Sequence, residues 1–140
     1  SHPNSLVGLG DGGAHVGVLS DASAITYMLT HWTRDRTRGG RMPLPWAIKR
    51  LSRDNAAAIG LNDRGLVKNG YKADLNVIDY DRLKLCPPKV AYDLPSGGRR
   101  LLQRIEGYDA TIVSGTPVQI HGEETGALPG RLVRGSKSLG

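Results

Sequence analysis

The residues best placed to do chemistry follow a short apolar run near the start of the chain. Leu6–Leu9 has the length and composition of a strand that is buried on both faces in a parallel sheet. An acid, Asp11, comes just after this run, and a histidine, His15, follows four residues later. Active-site side chains gather at the carboxyl ends of parallel strands, so an acid in this place is a candidate site residue. The glycines around it would let the backbone approach whatever the acid contacts.

Two other interpretations of this stretch remain open. An Asp between glycines is common in turns, where it bonds only to its own backbone. Three glycines also fit the dinucleotide-binding pattern G-x-G-x-x-G: Gly8, Gly10 and Gly13. That pattern needs a helix to start at its glycines, but Ala14–Leu19 contains a further glycine and two valines. Asp11 would also place a negative charge beside the phosphates, which makes the dinucleotide interpretation the weaker one.

Length and composition indicate one small globular unit with little core material. The chain has 140 residues, 39% of them hydrophobic, with 19 glycines and no phenylalanine. It has no initiating methionine and opens almost directly into the predicted buried strand, so we expect a segment of a larger protein. The single cysteine, Cys86, excludes an internal disulfide framework and favours a reducing, cytoplasmic location. No run reaches membrane-spanning length, and no signal peptide opens the chain.

The net charge of +6 raises the question of nucleic acid as a partner. The arginines cluster in Arg34–Arg41 and Arg99–Arg104 without interleaved aromatic residues or a nucleic-acid-binding motif. We therefore expect a basic surface and no nucleic-acid partner. The loop from Arg34 to Met42 is either a solvated connector, which we favour, or an anion-binding loop whose guanidinium groups match a carboxylate.

Helical patterns fill the first half of the chain. Ser20 or Asp21 can cap a helix that runs to about Arg34, and its apolar face is defined by spacing: Ile25, Met28, Leu29 and Trp32. Pro43 and Pro45 introduce a second helical stretch, with a break at Asp54-Asn55 and an end at Gly60.

Glycines and short β-type runs mark the second half. Ala73–Ile78 and Ala110–Val113 are predicted strands, and Gly115-Thr116 is a predicted hairpin turn into Val118–Ile120. Leu83–Arg104 is predicted to be a long loop with one short strand near Leu101–Ile105.

Taken together, these motifs resemble the carboxyl-terminal portion of the amidohydrolase superfamily, and within it the N-acyl-D-amino-acid deacylase (D-aminoacylase) branch. The resemblance covers nearly the whole chain. The motifs that carry it are G-D-G-G-A-H around Asp11, H-W-T-R-D-R from His31, the tract from Asp54 to Asp79, D-L-P-S-G-G-R-R from Asp93, T-I-V-S-G from Thr111 and T-G-A-L-P-G-R-L-V-R from Thr125. The tract from Asp54 identifies the superfamily, and the final motif points to the deacylase branch.

The resemblance implies an α/β plus β fold. Residues 1–60 would be the last strand and helices of a metal-dependent TIM barrel, and residues 61–140 the carboxyl-terminal portion of its small β-sandwich. Asp11 would be the catalytic acid and a metal contact, taking a proton from the metal-bound water and passing it to the leaving amine. His15, Arg34 and Arg36 would contact the substrate, an N-acyl amino acid or a related amide. We interpret Gly65, Gly70 and Asp74 as structural.

The expected cofactor of the intact enzyme is one or two Zn²⁺ ions. The four histidines form no His-x-His pair: His2, His15, His31 and His121. One carboxylate does not supply the three or four ligands that zinc requires, so we expect the 140-residue chain alone to bind no zinc and to be inactive.

A different hypothesis is a stand-alone β-rich interaction module without catalysis, which predicts a stable monomer. A barrel segment instead predicts exposed apolar surface at Leu6–Leu9, Trp32 and Trp46, and self-association.

Overall fold

A computed structural model describes residues 2, 4–8, 10, 12–13, 17 and 23–133. Within that part, two helices come first and eight short strands follow. The strands form a four-stranded antiparallel sheet and two separate two-stranded ribbons. No helix in the described ranges has the length and apolar character needed to cross a membrane.

The first helix starts as an α-helical turn, Ala24–Tyr27, and continues as a π-helical segment, Met28–Asp35. Met28 and Leu29 are buried in the core as their spacing predicts. Ile25 is not, since 55% of its surface is exposed and no described element covers that side of the helix. The predicted cap at Ser20 or Asp21 lies outside the described residues.

The second helix is continuous through three segments: α-helical Leu44–Lys49, π-helical Arg50–Asp54 and α-helical Asn55–Ala58. The predicted break at Asp54-Asn55 is therefore wrong. Both residues keep helical backbone angles, and the Asp54 carboxylate binds Lys49 and Arg50 one turn earlier. The predicted end is confirmed, because Gly60 has a φ of 74° and its N–H donates to Ala57 O at 3.1 Å.

Four strands form the main sheet: Leu75–Ile78 (β1), Tyr108–Val113 (β6), Thr116–Ile120 (β7) and Glu123–Glu124 (β8). They lie in the order β1-β6-β7-β8. They confirm the three strands predicted in this region. The turn between β6 and β7 differs from the prediction by one residue: Ser114 (φ 51°) and Gly115 (φ 82°) form it, and Thr116 already pairs with Val113. Two consecutive positive φ angles match the right-handed twist of the strands.

Asp74 anchors this turn to the start of β1. Its carboxylate accepts the N–H of Ser114 at 2.8 Å and pairs with Lys72 at 3.0 Å. Burial acts to raise the pKa of Asp74, but these two contacts prevail and hold that pKa below its ordinary value. The side chain therefore has the structural role that we expected.

The segment predicted as a long loop, Leu83–Arg104, is mostly strand. It contains β2 (Lys84–Leu85), which pairs with β5 (Ile105–Glu106), and a hairpin of β3 (Lys89–Leu94) and β4 (Gly98–Leu102). The hairpin turns at Pro95–Gly97, where Ser96 and Gly97 have positive φ angles. Proline and glycine at this turn made the whole segment resemble a loop, whereas they only separate two strands.

The strand predicted at Leu6–Leu9 is wrong for the described positions. Leu6, Val7 and Gly8 have no regular secondary structure, and Leu9 lies outside the described residues. A strand needs a neighbour for its backbone hydrogen bonds, and no described strand runs beside these residues. Leu6 is 55% exposed as expected for an unpaired segment, whereas Val7 packs on the core and its carbonyl accepts Asn55 Nδ2 at 2.5 Å.

One core joins the helices to the strands. Its buried members are Met28, Leu29, Ala47 and Leu83, so both halves of the chain contribute. Trp32 and Trp46 are half-buried against this core, which corrects the expectation that they would be exposed. A guanidinium group covers each indole: Arg36 lies 4.5 Å from the ring of Trp32 and Arg50 lies 5.5 Å from that of Trp46.

Candidate functional site

The two central candidates, Asp11 and His15, lie outside the described residues, so their predicted roles stay predictions. The neighbours of Asp11 are described: Gly10 and Gly12 are exposed and belong to no helix or strand. This is the glycine-rich backbone that the sequence indicates, and it leaves the chain on both sides of Asp11 accessible to solvent.

Arg34 is engaged by the protein itself. Its Nε and one Nη bind the two oxygens of Asp35 at 2.7 and 3.0 Å. The remaining N–H groups donate to backbone carbonyls of the loop before β2: Tyr80, Asp81 (3.3 Å) and Leu83 (2.8 Å). All five donors of the guanidinium are therefore in use. The hydrogen bond to Asp35 raises the pKa of Arg34 and lowers that of Asp35, so both groups stay charged.

This geometry favours a structural role for Arg34 over the predicted contact with a substrate carboxylate. The side chain joins the end of the first helix to the loop that carries the buried Leu83. A hydroxyl contact reinforces the same junction, since Thr33 Oγ1 lies 2.6 Å from Tyr80 Oη.

Replacing Arg34 by alanine is expected to lower the free energy of unfolding by about 2 kcal/mol, because the carbonyls at the junction lose charged donors. Arg34→Lys should recover little of this, since an ammonium group cannot reach carbonyls and a carboxylate in the same fork geometry. Urea unfolding followed by circular dichroism measures the change. Arg99→Ala, at an exposed position of β4, is the matched control. An Arg34→Ala protein as stable as that control would contradict the structural role.

Arg36 lies two residues further on, just after the first helix. Its guanidinium stacks on the Trp32 ring at 4.5 Å, and its Nε donates to the carbonyl of Arg38. In contrast to Arg34, Arg36 has no carboxylate partner within the described part of the chain. Its predicted contact with a substrate carboxylate stays a prediction. The four-residue spacing between Trp32, in the helix, and Arg36, directly after it, is the sequence signal for this stacked pair.

An apolar cavity of about 500 Å³ opens beside the first helix. It is lined by Val7, Ser23, Ala24, Tyr27, Met28, Trp32 and Met42. The described lining offers the hydroxyl groups of Ser23 and Tyr27 and apolar surface, so this cavity can hold an apolar group. No sequence pattern predicts this cavity, because its walls combine the first helix with Val7 and Met42.

A wider and polar cleft of about 1,040 Å³ lies between the β3–β4 hairpin and the main sheet. Its arginines are paired with acids: Arg82 with Asp109 at 3.0 Å, Arg100 with Asp93 at 2.6 Å and Arg104 with Glu123 at 3.3 Å. The thiol of Cys86 lies at the same cleft, and burial, with the nearby Glu106, raises its pKa. A protonated thiol is a poor nucleophile and a poor metal ligand, which disfavours a catalytic or metal-binding role for Cys86.

The described residues do not fit the expected zinc ion. Within residues 2, 4–8, 10, 12–13, 17 and 23–133, no three His, Cys, Asp or Glu side chains come together in a way that could hold a metal. His31 stacks on Tyr27 with 4.9 Å between ring centroids, and His121 lies 3.5 Å from Asp109 at the cleft. The described part of the chain therefore does not bring together the ligands that zinc requires.

Comparison with known proteins gives the family of this chain. The sequence matches the Amidohydrolase family over residues 1–119. It is 43% identical over 74 residues to an adenine deaminase of Sinorhizobium fredii (strain NBRC 101917 / NGR234), which covers 52% of this chain and 12% of that protein. It is 46% identical over 41 residues to a 5-methylthioadenosine/S-adenosylhomocysteine deaminase of Pelotomaculum thermopropionicum (strain DSM 13744 / JCM 10971 / SI), or 29% of this chain and 10% of that protein.

These alignments span only a small part of each relative, and no solved structure gives a significant match. The family match is much broader. It includes the stretch around Asp11, both helices and the strands up to β7. Because it covers well over half of the sequence, the chain belongs to the Amidohydrolase family.

Proposed function

We propose that this chain is part of a hydrolase that cleaves a carbon–nitrogen bond, and that its substrate is an N-acyl-D-amino acid. The observation that carries the reaction class is the family match, which runs through Asp11 and the tract from Asp54 to Asp79. The two relatives are both named as deaminases, enzymes whose reaction removes nitrogen from carbon. The narrower substrate rests on the deacylase-like motif that begins at Thr125.

In this proposal Asp11 is the residue that moves protons. Hydrolysis of an amide requires a group that accepts a proton as water attacks and returns it to the departing amine. A carboxylate with an ordinary pKa is ionised at neutral pH and can do the first of these tasks. Exposed glycines on both sides of Asp11 let a substrate approach it closely.

The remaining parts of the proposal concern the substrate and the setting. His15 contacts the substrate beside Asp11. Zinc, as one or two ions, would be held by ligands of the intact enzyme, and we expect the 140-residue chain alone to be inactive. We place the enzyme in the cytoplasm, with residues 1–60 in its barrel and residues 61–140 in its β-sandwich.

The alternative of an independent β-rich interaction module receives less support from the packing. Leu83 of the strand-rich half is buried against Met28, Leu29 and Ala47 of the helices. Arg34 and Thr33 bind the same junction through polar contacts. Since the strands share their core with the helices, they do not form a module with a core of its own.

The substrate class can be tested on the enzyme that carries this sequence. We expect release of the free amino acid from N-acetyl-D-amino acids, little release from the matching L compounds, and no ammonia from adenine. Chromatography of the amino acid and an ammonia assay measure both reactions on the same preparation. Ammonia release from adenine without amide hydrolysis would replace deacylation by deamination, and failure of both reactions would reject the proposed class.

A further inference from the structure

We propose that the loop after the first helix, residues 36–41, is a binding site for a phosphate-type oxyanion. We call this segment the arginine loop. It carries three arginines: Arg36, Arg38 and Arg41. The proposal concerns a binding site separate from Asp11, and it does not depend on the amidohydrolase reaction.

The arginine loop is folded around one guanidinium group. The Arg36 guanidinium stacks on the Trp32 ring at 4.5 Å, and its Nε donates a hydrogen bond to the carbonyl of Arg38. Arg41 closes the loop, since its Nε donates to the carbonyl of Arg36 at 3.2 Å. The N–H of Met42 then bonds to Trp32 O at 2.9 Å, which returns the chain to the helix.

Gly39 shows how closely the backbone approaches Arg36. Its φ is 78°, and a Cβ at this position would lie 3.0 Å from Arg36 Nη2 and 3.4 Å from Cζ. A side chain here would shift the guanidinium by a few tenths of an ångström. Position 39 therefore combines a positive φ with a close contact, and both conditions favour glycine.

The charge of the arginine loop is not neutralised within the described part of the chain. The acid next to it, Asp35, holds Arg34 through both of its oxygens at 2.7 and 3.0 Å. Arg41 is close enough to contribute to the lowered pKa of Asp35, but it forms no ion pair there. By contrast, the arginines of the polar cleft are paired with acids. Arg38 and Arg41 are exposed and Arg36 is half-buried, so three positive charges lie within six residues without a described acid to balance them.

This arrangement suits a small, multiply charged oxyanion. A guanidinium presents parallel N–H donors that match two oxygens of phosphate or carboxylate, and a phosphate has enough oxygens to accept donors from more than one arginine. A single carboxylate carries one charge and satisfies one such fork. We therefore assign the site to a phosphate group, either free or at the end of a small organic molecule.

The test is a titration of the ¹⁵N-labelled 140-residue chain with inorganic phosphate, observed by NMR at constant ionic strength with sodium chloride as the balancing salt. We expect saturable shifts of the backbone amides of Arg38, Gly39 and Arg41 and of the Arg36 Nε–H. Methyl phosphate and acetate form two further arms. Equal affinity for phosphate and methyl phosphate indicates a terminal phosphate group, and tighter binding of free phosphate indicates the free ion. Acetate binding as tight as phosphate would overturn the assignment to phosphate.

Two variants separate a built site from general surface charge. Arg38→Gln removes an exposed side chain that makes no described contact, and we expect the dissociation constant for phosphate to rise at least tenfold. Gly39→Ala keeps every charge but displaces Arg36, and we expect a several-fold rise. Arg99→Gln removes one exposed charge elsewhere and should leave the dissociation constant for phosphate unchanged. Circular dichroism shows that each variant is folded. Shifts that increase linearly without saturation, or equal effects of Arg38→Gln and Arg99→Gln, would contradict the proposal.

Discussion

Replacing Gly107 by alanine is expected to destabilise the fold by about 2–5 kcal/mol, the sum of a left-handed backbone angle and a direct clash. Gly107 has a φ of 95° and lies between β5 and β6. A Cβ there would lie 2.7 Å from Leu83 Cα, 2.8 Å from Leu83 N and 2.9 Å from Asp79 O. These are backbone atoms, so no side-chain rotation relieves the contact.

The effect is large because Gly107 lies against the centre of the core. Leu83 is fully buried and packs with the residues of both helices. Gly107 O also accepts the N–H of Asp79 at 2.8 Å, so a shift of this backbone disturbs the end of β1 as well. Arg34 holds the carbonyl of Leu83 from the other direction at 2.8 Å.

Gly115→Ala is the matched control. Gly115 has nearly the same unfavourable angle, with a φ of 82°, but no atom lies within 4 Å of the position of its Cβ. We expect Gly115→Ala to lower the free energy of unfolding by about 1–2 kcal/mol, which is the cost of the backbone angle alone. Urea unfolding of both variants and of the parent chain measures the difference. If Gly107→Ala were no less stable than Gly115→Ala, the close packing of Gly107 on Leu83 would be refuted.

Sequence signals that depend only on nearby residues predicted the structure correctly. Helical spacing predicted the burial of Met28 and Leu29, because it depends only on residues of one helix. Gly60 ended the second helix as predicted, since a positive φ there is a local requirement. The β6–β7 hairpin was also found, with its turn displaced by one residue to Ser114-Gly115.

The failures concern features that depend on distant partners. Leu6–Leu9 reads as a buried strand, but a strand forms only beside another strand, and none of the described strands lies there. Ile25 fits the apolar stripe of its helix but is 55% exposed, because burial requires a covering element. The contacts of Arg34 were unpredictable for the same reason, since only the fold shows its donors on Tyr80, Asp81 and Leu83, far along the chain. Its contact with substrate stays a prediction.

Only those residues of the candidate site that lie in recognisable motifs could be predicted from the sequence. The glycine-rich stretch and its family resemblance single out Asp11, and the family match agrees with that resemblance at the level of the family. No pattern in the sequence shows that Gly39 approaches Arg36, or that the arginine loop closes onto Trp32. Those contacts arise from backbone angles that short motifs do not encode.

The second large effect is expected from Asp11→Asn in the enzyme that carries this sequence. Asparagine has the size of aspartate but cannot accept a proton at neutral pH, so kcat should fall by about 10²–10⁴-fold. Asp81→Asn makes the same chemical change at an exposed side chain that forms no described ion pair, and it should leave kcat unchanged. Equal unfolding curves for the three proteins would show that the loss concerns chemistry and not folding.

The most direct test of the proposed function is therefore kcat for hydrolysis of an N-acetyl-D-amino acid by the unmodified enzyme, Asp11→Asn and Asp81→Asn, measured side by side. We predict that only Asp11→Asn loses activity, by at least a hundredfold, with the stability of the protein unchanged. An Asp11→Asn enzyme with a kcat close to that of the unmodified protein would contradict the assignment of proton transfer to Asp11.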